Sequence, residues 1–419
     1  MDKLEVFGAR KLKGQIIISG SKNASLPILA ATILSNKKIH LSNLPKVKDI
    51  ETMIKLLESV GSKINISKNR NSITIINNKK IKTFAPYNLV KTMRAGILVL
   101  GPMLARFGKA KISLPGGCSI GMRPIDIHLK ALAKLGAKFK IIDGYVDALA
   151  EKKLKGAKIR FPKISVGATE NLIIATSMAD GISILSNCAI EPEIKDLVNF
   201  INKIGGKIRW IGRRTLRVIG VNDFVESEYK IMPDRIEAGT YLIAAAITEG
   251  NLKVIGIDPK ILKNEIDILK KIGSKITLDK NRITILGNKI IKNINLKTAP
   301  HPGFPSDLQA QLMVLLCKAK NQSVITEEIF ENRFMHVAEL NRMGAKIKIK
   351  GNRAIIEGNT NFKGAELMAT DLRASASLIL AALAAKGKSL INRIYHLDRG
   401  YEQLETKLRK VGAKIRRIA

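Results

Sequence analysis

The stretch DIETMIKLLESVGSKINI, residues 49–66, joins two patterns with a glycine between them. Ile50, Met53, Ile54, Leu57 and Val60 recur at steps of three and four, which lines them up on one helical face. Gly61 can take the left-handed conformation that closes a helix. Lys63-Ile64-Asn65-Ile66 then alternates polar and apolar, the period of a half-buried strand. The closing phrase returns five more times: LGAKFKI from Leu135, IGGKIRW from Ile204, IGSKITL from Ile272, MGAKIKI from Met343 and VGAKIRR from Val411. The phrase glycines at 61, 136, 205, 273, 344 and 412 fall 68–75 residues apart, each after an amphipathic segment such as IKDLVNFINKIG or YEQLETKLRKVG.

A second helix recurs earlier in each period: ASLPILAATILS, MRAGILVLGPMLA, ATENLIIATSMA, RIEAGTYLIAAAI, DLQAQLMVLLCKA and LRASASLILAALAA. These segments are rich in small residues and apolar on nearly every side, so they belong in an interior. The chain therefore reads as six units of about 70 residues, each roughly βαβαββ, a repeat that specifies an α/β fold. Fully apolar helices need cover on several sides at once. Two closed bodies of three units supply that cover better than a long solenoid. The crossover between them is expected near YKIMPDR, residues 229–235, where the fourth unit begins.

Composition narrows the function classes. The 419 residues carry 72 Lys and Arg against 35 Asp and Glu, a formal net charge of +37. A nucleic-acid-binding protein is one reading of that excess. However, only 21 of the basic residues are arginine, aromatic residues for stacking on bases are 4%, and no block of five like charges occurs. A lysine-rich solvated exterior is the plainer reading. Three cysteines do not make a disulfide framework. Cys188 and Cys317 sit in apolar runs and read as small core residues, whereas Cys118 lies in PGGCSIGMRP, a glycine-rich loop with Arg123 close by. The N-terminus has no secretory pattern, and the longest uncharged apolar run, residues 374–385, is too short to span a bilayer. A cytoplasmic protein with no membrane partner is expected.

Candidate chemistry gathers at equivalent places in the repeats. Lys22 in SGSKNASLP opens a buried helix, where backbone N–H groups and an ammonium suit an anion, although a plain capped turn is as good a reading. Arg94 in KTMRAG, Asp307 in TAPHPGFPSDLQAQ and Arg373 in MATDLRASAS occupy the corresponding position in other units. Asp307 reads equally as a helix cap, and Asp371 with Arg373 as a surface pair. Arg333 lies in IFENRFMH, and Arg399 in RIYHLDRGYE lies, like Cys118 and Arg123, in a loop that closes a unit. A guanidinium near Cys118 would draw its thiol toward neutral pKa, where it can act as acid or nucleophile; an inert surface cysteine is the alternative. Brought together, these cations would form a cleft for a substrate with more than one anionic group. His40, His128, His301, His336 and His396 are scattered, so no metal is expected.

The motifs GSKNASLP, LPGGCSIGMRPIDIHL, SVGAT, EPEIKDL, PDRIEAGT, TAPHPGFPSDLQAQ, FENRFMH, MATDLRASASL and RIYHLDRGYE, in this order, resemble the UDP-N-acetylglucosamine 1-carboxyvinyltransferases, enolpyruvyl transferases of peptidoglycan synthesis. The resemblance runs from about residue 3 to residue 418. It implies two inside-out α/β barrel domains of three βαβαββ units each, residues 22–232 and residues 1–21 plus 233–419. It implies transfer of the enolpyruvyl group of phosphoenolpyruvate to the 3′-hydroxyl of UDP-N-acetylglucosamine, with release of phosphate and without a cofactor. By the same resemblance Cys118 is the acid toward C3 of phosphoenolpyruvate and Asp307 the base toward the sugar hydroxyl. Lys22, Asn23, Arg123 and Arg399 would hold phosphoenolpyruvate. Asn23, Arg94, Arg123, Pro124, Ile125, Asp126, Ile127, Lys163, Ile164, Ser165, Val166, Asp307 and Ile329 would hold the nucleotide sugar, with Arg333, Asp371 and Arg373 as further cleft residues. A monomer sensitive to fosfomycin through Cys118 is also implied. Gly96 and Ile97 depart from the polar residue expected after MRA. EPSP synthase, with the same fold and the same phosphoenolpyruvate chemistry, is the nearest alternative, and its lack of a cysteine in this loop argues against it.

Overall fold

The structure is a computed structural model and describes residues 2–78, 81–114 and 125–418. Cys118, Arg123 and Pro124, three of the expected site residues, lie outside the described residues. The six repeat glycines all adopt positive φ, between 96° and 120°. They end the helices Lys48–Val60, Asp126–Ala133, Pro192–Lys203, Lys263–Ile272, Val337–Arg342 and Leu404–Lys410, either directly or within a turn. Only glycine takes that conformation without steric cost, so the phrase acts as punctuation between helix and strand.

Each repeat builds one four-stranded sheet. In the sheet of repeat two, the first and second strands are parallel, the fourth pairs antiparallel with the second, and the third lies at the edge, antiparallel to the fourth. The chain forms two compact units. One comprises residues 20–114 and 125–232 with the sheets of repeats one to three; the other comprises residues 2–19 and 233–418 with those of repeats four to six. In the first, the helices Lys22–Ala31, Leu100–Phe107 and Val166–Thr176 fill the interior; in the second, Arg235–Ile247, Gln309–Cys317 and Leu372–Ala384 do so. Helices lie inside and sheets outside: the central helices are buried on nearly every side, whereas strands such as Lys109–Ser113 and Asn251–Ile255 alternate buried and exposed side chains. Burying a Leu, Ile or Met side chain contributes about 1.5–3 kcal/mol, and all nine residues of Gln309–Cys317 are buried.

Two strands sit away from their own repeat. Lys13–Ile17 immediately precedes the first central helix, yet it pairs in parallel with Asn251–Ile255 in the fourth repeat's sheet. Ser227–Lys230 precedes the fourth central helix and pairs in parallel with Ile39–Ser42 in the first repeat's sheet. The first strands of repeats one and four are thus exchanged, and the chain passes between units at Ser19–Gly20 and Met232–Pro233. The N-terminal strand Lys3–Phe7 completes the sixth sheet between Lys388–Asn392 and Lys414–Ile418.

Helix starts differ in detail from a uniform pattern. The segment after Met93 is a 3₁₀ turn over Arg94–Val99 before it becomes α-helical at Leu100. Pro102, which has no N–H to donate, is placed in the first turn of the α-helix, where none is required. Gly101 allows this helix to approach Val166–Thr176: a Cβ there would stand 2.3 Å from Asn171 Oδ1.

A buried acid stands beside the crossing at Ser19. Glu237 accepts from the Ser19 N–H at 2.8 Å and pairs with Lys407. Burial pushes its carboxyl up to about 7, against the opposing charge of Lys407. A carboxyl raised in the folded state stabilises fully below its unfolded pKa and loses that contribution as pH rises through the folded value. Wild-type stability relative to Glu237→Gln is therefore expected to fall by up to about 3 kcal/mol between pH 4.5 and 8. Urea unfolding of both proteins across that range checks this; parallel profiles would contradict it.

Candidate active site

In the unit of repeats four to six, three of the expected residues meet directly. Asp307 lies in a 3₁₀ turn, Ser306–Leu308, ahead of Gln309–Cys317, and its side chain does not cap that helix. Instead Oδ1 accepts from Arg333 at 2.8 Å and Oδ2 accepts from Arg373 at 2.7 Å. Both guanidiniums are buried, whereas the Asp307 side chain keeps 30% of its surface. An ionised carboxylate has about four lone-pair sites. Here Arg333 engages one oxygen and Arg373 the other. Burial opposes the charge of Arg373, but the adjacent Asp307 outweighs it and raises its pKa.

The reading of Asp371 and Arg373 as a surface pair is overturned. Asp371 turns inward to cap Leu372–Ala384, accepting from the N–H groups of Arg373 and Ala374 at 2.8 and 3.1 Å. Arg373 reaches across repeats to Asp307. A short side chain at a helix start meets free N–H groups first, which leaves the longer arginine to find another anion. Asp371 also acts on two histidines. Burial lowers His336 to about 4, with Asp371 opposing and Arg333 assisting. His396 is lowered by burial and by Arg399, again with Asp371 opposing. Arg399 ends the 3₁₀ turn Ile394–Arg399 and is half-buried. Ile329 is partly exposed, and its N–H donates to Glu327 Oε1 at 2.9 Å.

In the unit of repeats one to three, the expected residues stand at helix starts. Ser21 caps Lys22–Ala31 by accepting from the Ala24 N–H, Lys22 Nζ lies 3.2 Å from Asp49 Oδ2, and Asn23 follows in the first turn. Ile125 precedes Asp126–Ala133; Asp126 pairs with Lys130 at 3.4 Å on the surface, and Ile127 is buried. Ser165 caps Val166–Thr176 by accepting from the Ala168 N–H. Before it, Lys163 is exposed and Ile164 is half-buried against the core.

Two residues that motif reading missed tie these segments together. Asn171 accepts from the Gly101 N–H at 2.7 Å, donates to the Ile97 carbonyl at 3.0 Å, and lies 3.1 Å from His128 Nδ1. Burial and the Arg94 charge pull His128 down to about 4, so it is neutral at ordinary pH. The Arg94 turn, the Asp126 helix and the Ser165 helix start are therefore linked through one amide and one imidazole. The available signal was a polar residue inside each of two apolar helices, and core histidines and asparagines give the same signal. Among the described residues, no group of three His, Cys, Asp or Glu side chains could hold a metal ion, and no helix is long and apolar enough to cross a membrane.

The family model for EPSP synthase (3-phosphoshikimate 1-carboxyvinyltransferase) matches residues 6–408. The UDP-N-acetylglucosamine 1-carboxyvinyltransferase of Pelagibacter ubique (strain HTCC1062) is 73% identical over 418 residues, covering 100% of both chains. That of Trichlorobacter lovleyi is 51% identical over 419 residues, again covering 100% of both. Among solved structures, the enolpyruvyl transferase NikO of Streptomyces tendae superposes with a TM-score of 0.91 at 24% identity, over 99% of this chain and 98% of its own. The fold is theirs, and the chain belongs to the EPSP synthase-like enolpyruvyl transferases and, within them, to the UDP-N-acetylglucosamine 1-carboxyvinyltransferase family.

Proposed function

We propose that the protein transfers the enolpyruvyl group of phosphoenolpyruvate to the 3′-hydroxyl of UDP-N-acetylglucosamine, releasing phosphate, as a committed step of peptidoglycan synthesis. The observation that carries the reading is Asp307, a part-exposed carboxylate aligned by two buried guanidiniums, in a chain 73% identical to a protein of that name. The sugar oxygen bonds to C2 of phosphoenolpyruvate while its proton passes to Asp307. The Cys118 thiol delivers a proton to C3. The tetrahedral carbon then expels phosphate as its C2–O bond breaks, and C3 gives up a proton to restore the double bond. Addition of this kind needs an acid and a base on different atoms and fixed positive charge toward the leaving phosphate.

Lys22, Asn23, Arg123 and Arg399 are proposed to hold phosphoenolpyruvate. Asn23, Arg94, the run from Arg123 to Ile127, the run from Lys163 to Val166, Asp307 and Ile329 are proposed for the nucleotide sugar. Arg333, Asp371 and Arg373 support the carboxylate side. The two compact units are taken as the two lobes of this family, near residues 22–232 and 1–21 plus 233–419. We place the enzyme in the cytoplasm as a monomer that serves cell-wall growth, cell shape and division. Fosfomycin is expected to inhibit it through Cys118. Phosphate release from phosphoenolpyruvate should require UDP-N-acetylglucosamine and should not occur with shikimate 3-phosphate in its place; turnover with the latter would overturn the substrate assignment.

A further inference from the structure

The hydroxyl of Tyr401 stands where all three repeats of the second unit meet. Its ring is buried, two residues beyond Arg399. The hydroxyl oxygen lies 2.8 Å from Thr240 Oγ1, on the central helix of repeat four, and 3.0 Å from Gln311 Nε2, on that of repeat five. Gln311 Nε2 also lies 3.1 Å from the Asp307 carbonyl. Thr240 Oγ1 also lies 2.8 Å from the Ile236 carbonyl. Either hydroxyl can be the donor between Thr240 and Tyr401, and both oxygens lie within reach of the Gln311 amide, at 3.2 and 3.0 Å. The same amide donates toward the backbone carbonyl of Asp307. The Arg373 guanidinium, which holds Asp307 Oδ2, sits over the Tyr401 ring at 5.6 Å.

Tyr401 thus touches the Asp307 turn by two routes, through Gln311 to its backbone and through Arg373 to its carboxylate. The neighbouring chain fixes Tyr401 in turn. Its N–H donates to the Leu397 carbonyl at 3.0 Å. Gly400 presses onto the start of helix Leu372–Ala384, where a Cβ would stand 2.6 Å from Leu372 Cδ2. The turn carrying Arg399 is closed against that helix by the same contact.

We propose that Tyr401 is a positioning residue for the transfer reaction, setting the Asp307 carboxylate through Gln311 and Arg373. The proposal rests on the function given above. A misplacement of about 1 Å can cost a reaction on the order of 100-fold, and Tyr401 anchors both routes, with its hydroxyl on Gln311 and its ring under Arg373.

The test is steady-state phosphate release by wild type, Tyr401→Phe, Gln311→Met and the double variant, at a temperature where circular dichroism finds each folded. Tyr401→Phe keeps the ring under Arg373 and removes only the hydroxyl. It is expected to lower kcat about tenfold or more, with KM for UDP-N-acetylglucosamine within about twofold. Gln311→Met is expected to do the same, and the double variant to lose little beyond either single one, because both cut one chain of contacts. Unchanged kcat in a folded Tyr401→Phe, or multiplicative losses in the double variant, would overturn the proposal while wild-type turnover stands. If Tyr401→Phe does not fold, Gln311→Met carries the same test alone. No turnover by the wild type would overturn the functional reading, and this proposal with it.

Discussion

Asp307→Asn is expected to lower kcat for phosphate release by about 10²–10⁴-fold, the range associated with losing a positioned acid or base. Each carboxylate oxygen engages one buried guanidinium, from Arg333 and Arg373, which fixes the group proposed to receive the sugar proton. An amide of the same shape offers one oxygen, carries no charge and has no proton affinity at neutral pH. The substitution also leaves two buried cations without their shared anion, and breaking a buried pair costs about 3–5 kcal/mol. The thermal midpoint should therefore fall as well. Kinetics run well below the new midpoint separate the two effects. Activity within threefold of wild type in a folded Asp307→Asn protein would remove Asp307 from the chemistry.

The second large effect concerns Cys118. Cys188 and Cys317 are fully buried, and burial pushes both thiols up to about 12. The thiolate is the reactive form, so neither should be alkylated in the folded protein at pH 7–8. Iodoacetamide is then expected to label one of the three cysteines in native protein and all three after unfolding. Turnover should be lost in proportion to the first equivalent, and peptide mass mapping should place the label on Cys118. Cys118→Ala should lower kcat by about 10²–10⁴-fold and take up no label while folded. Full activity after stoichiometric labelling of Cys118 would contradict its role.

The repeat made most of the architecture readable from the chain alone. Six glycines with the same flanks and the same left-handed backbone mark six helix-to-strand junctions. The all-apolar helices announce an interior wrapped by sheets. The exchange of Lys13–Ile17 and Ser227–Lys230 was not readable in the strands themselves. Both are short edge strands with few buried side chains, so neither carries a face that selects its sheet. Residue types at the candidate site were readable, but their partners were not. Arg373 lies two positions from Asp371 and 66 from Asp307, yet it pairs with the latter because the nearer carboxylate is committed to the helix N–H groups. Thr240, Gln311 and Tyr401 come from three repeats, and only packing of two central helices against the segment after the Arg399 turn brings their polar atoms together.

The most direct measurement of the central claim is phosphate release followed together with the mass of the nucleotide product, with phosphoenolpyruvate and UDP-N-acetylglucosamine as the only substrates. The account predicts one phosphate for each nucleotide sugar that gains an enolpyruvyl group, with both signals lost together in Asp307→Asn and Cys118→Ala. Phosphate released without a heavier nucleotide, or a heavier nucleotide formed unabated by both variants, would contradict it.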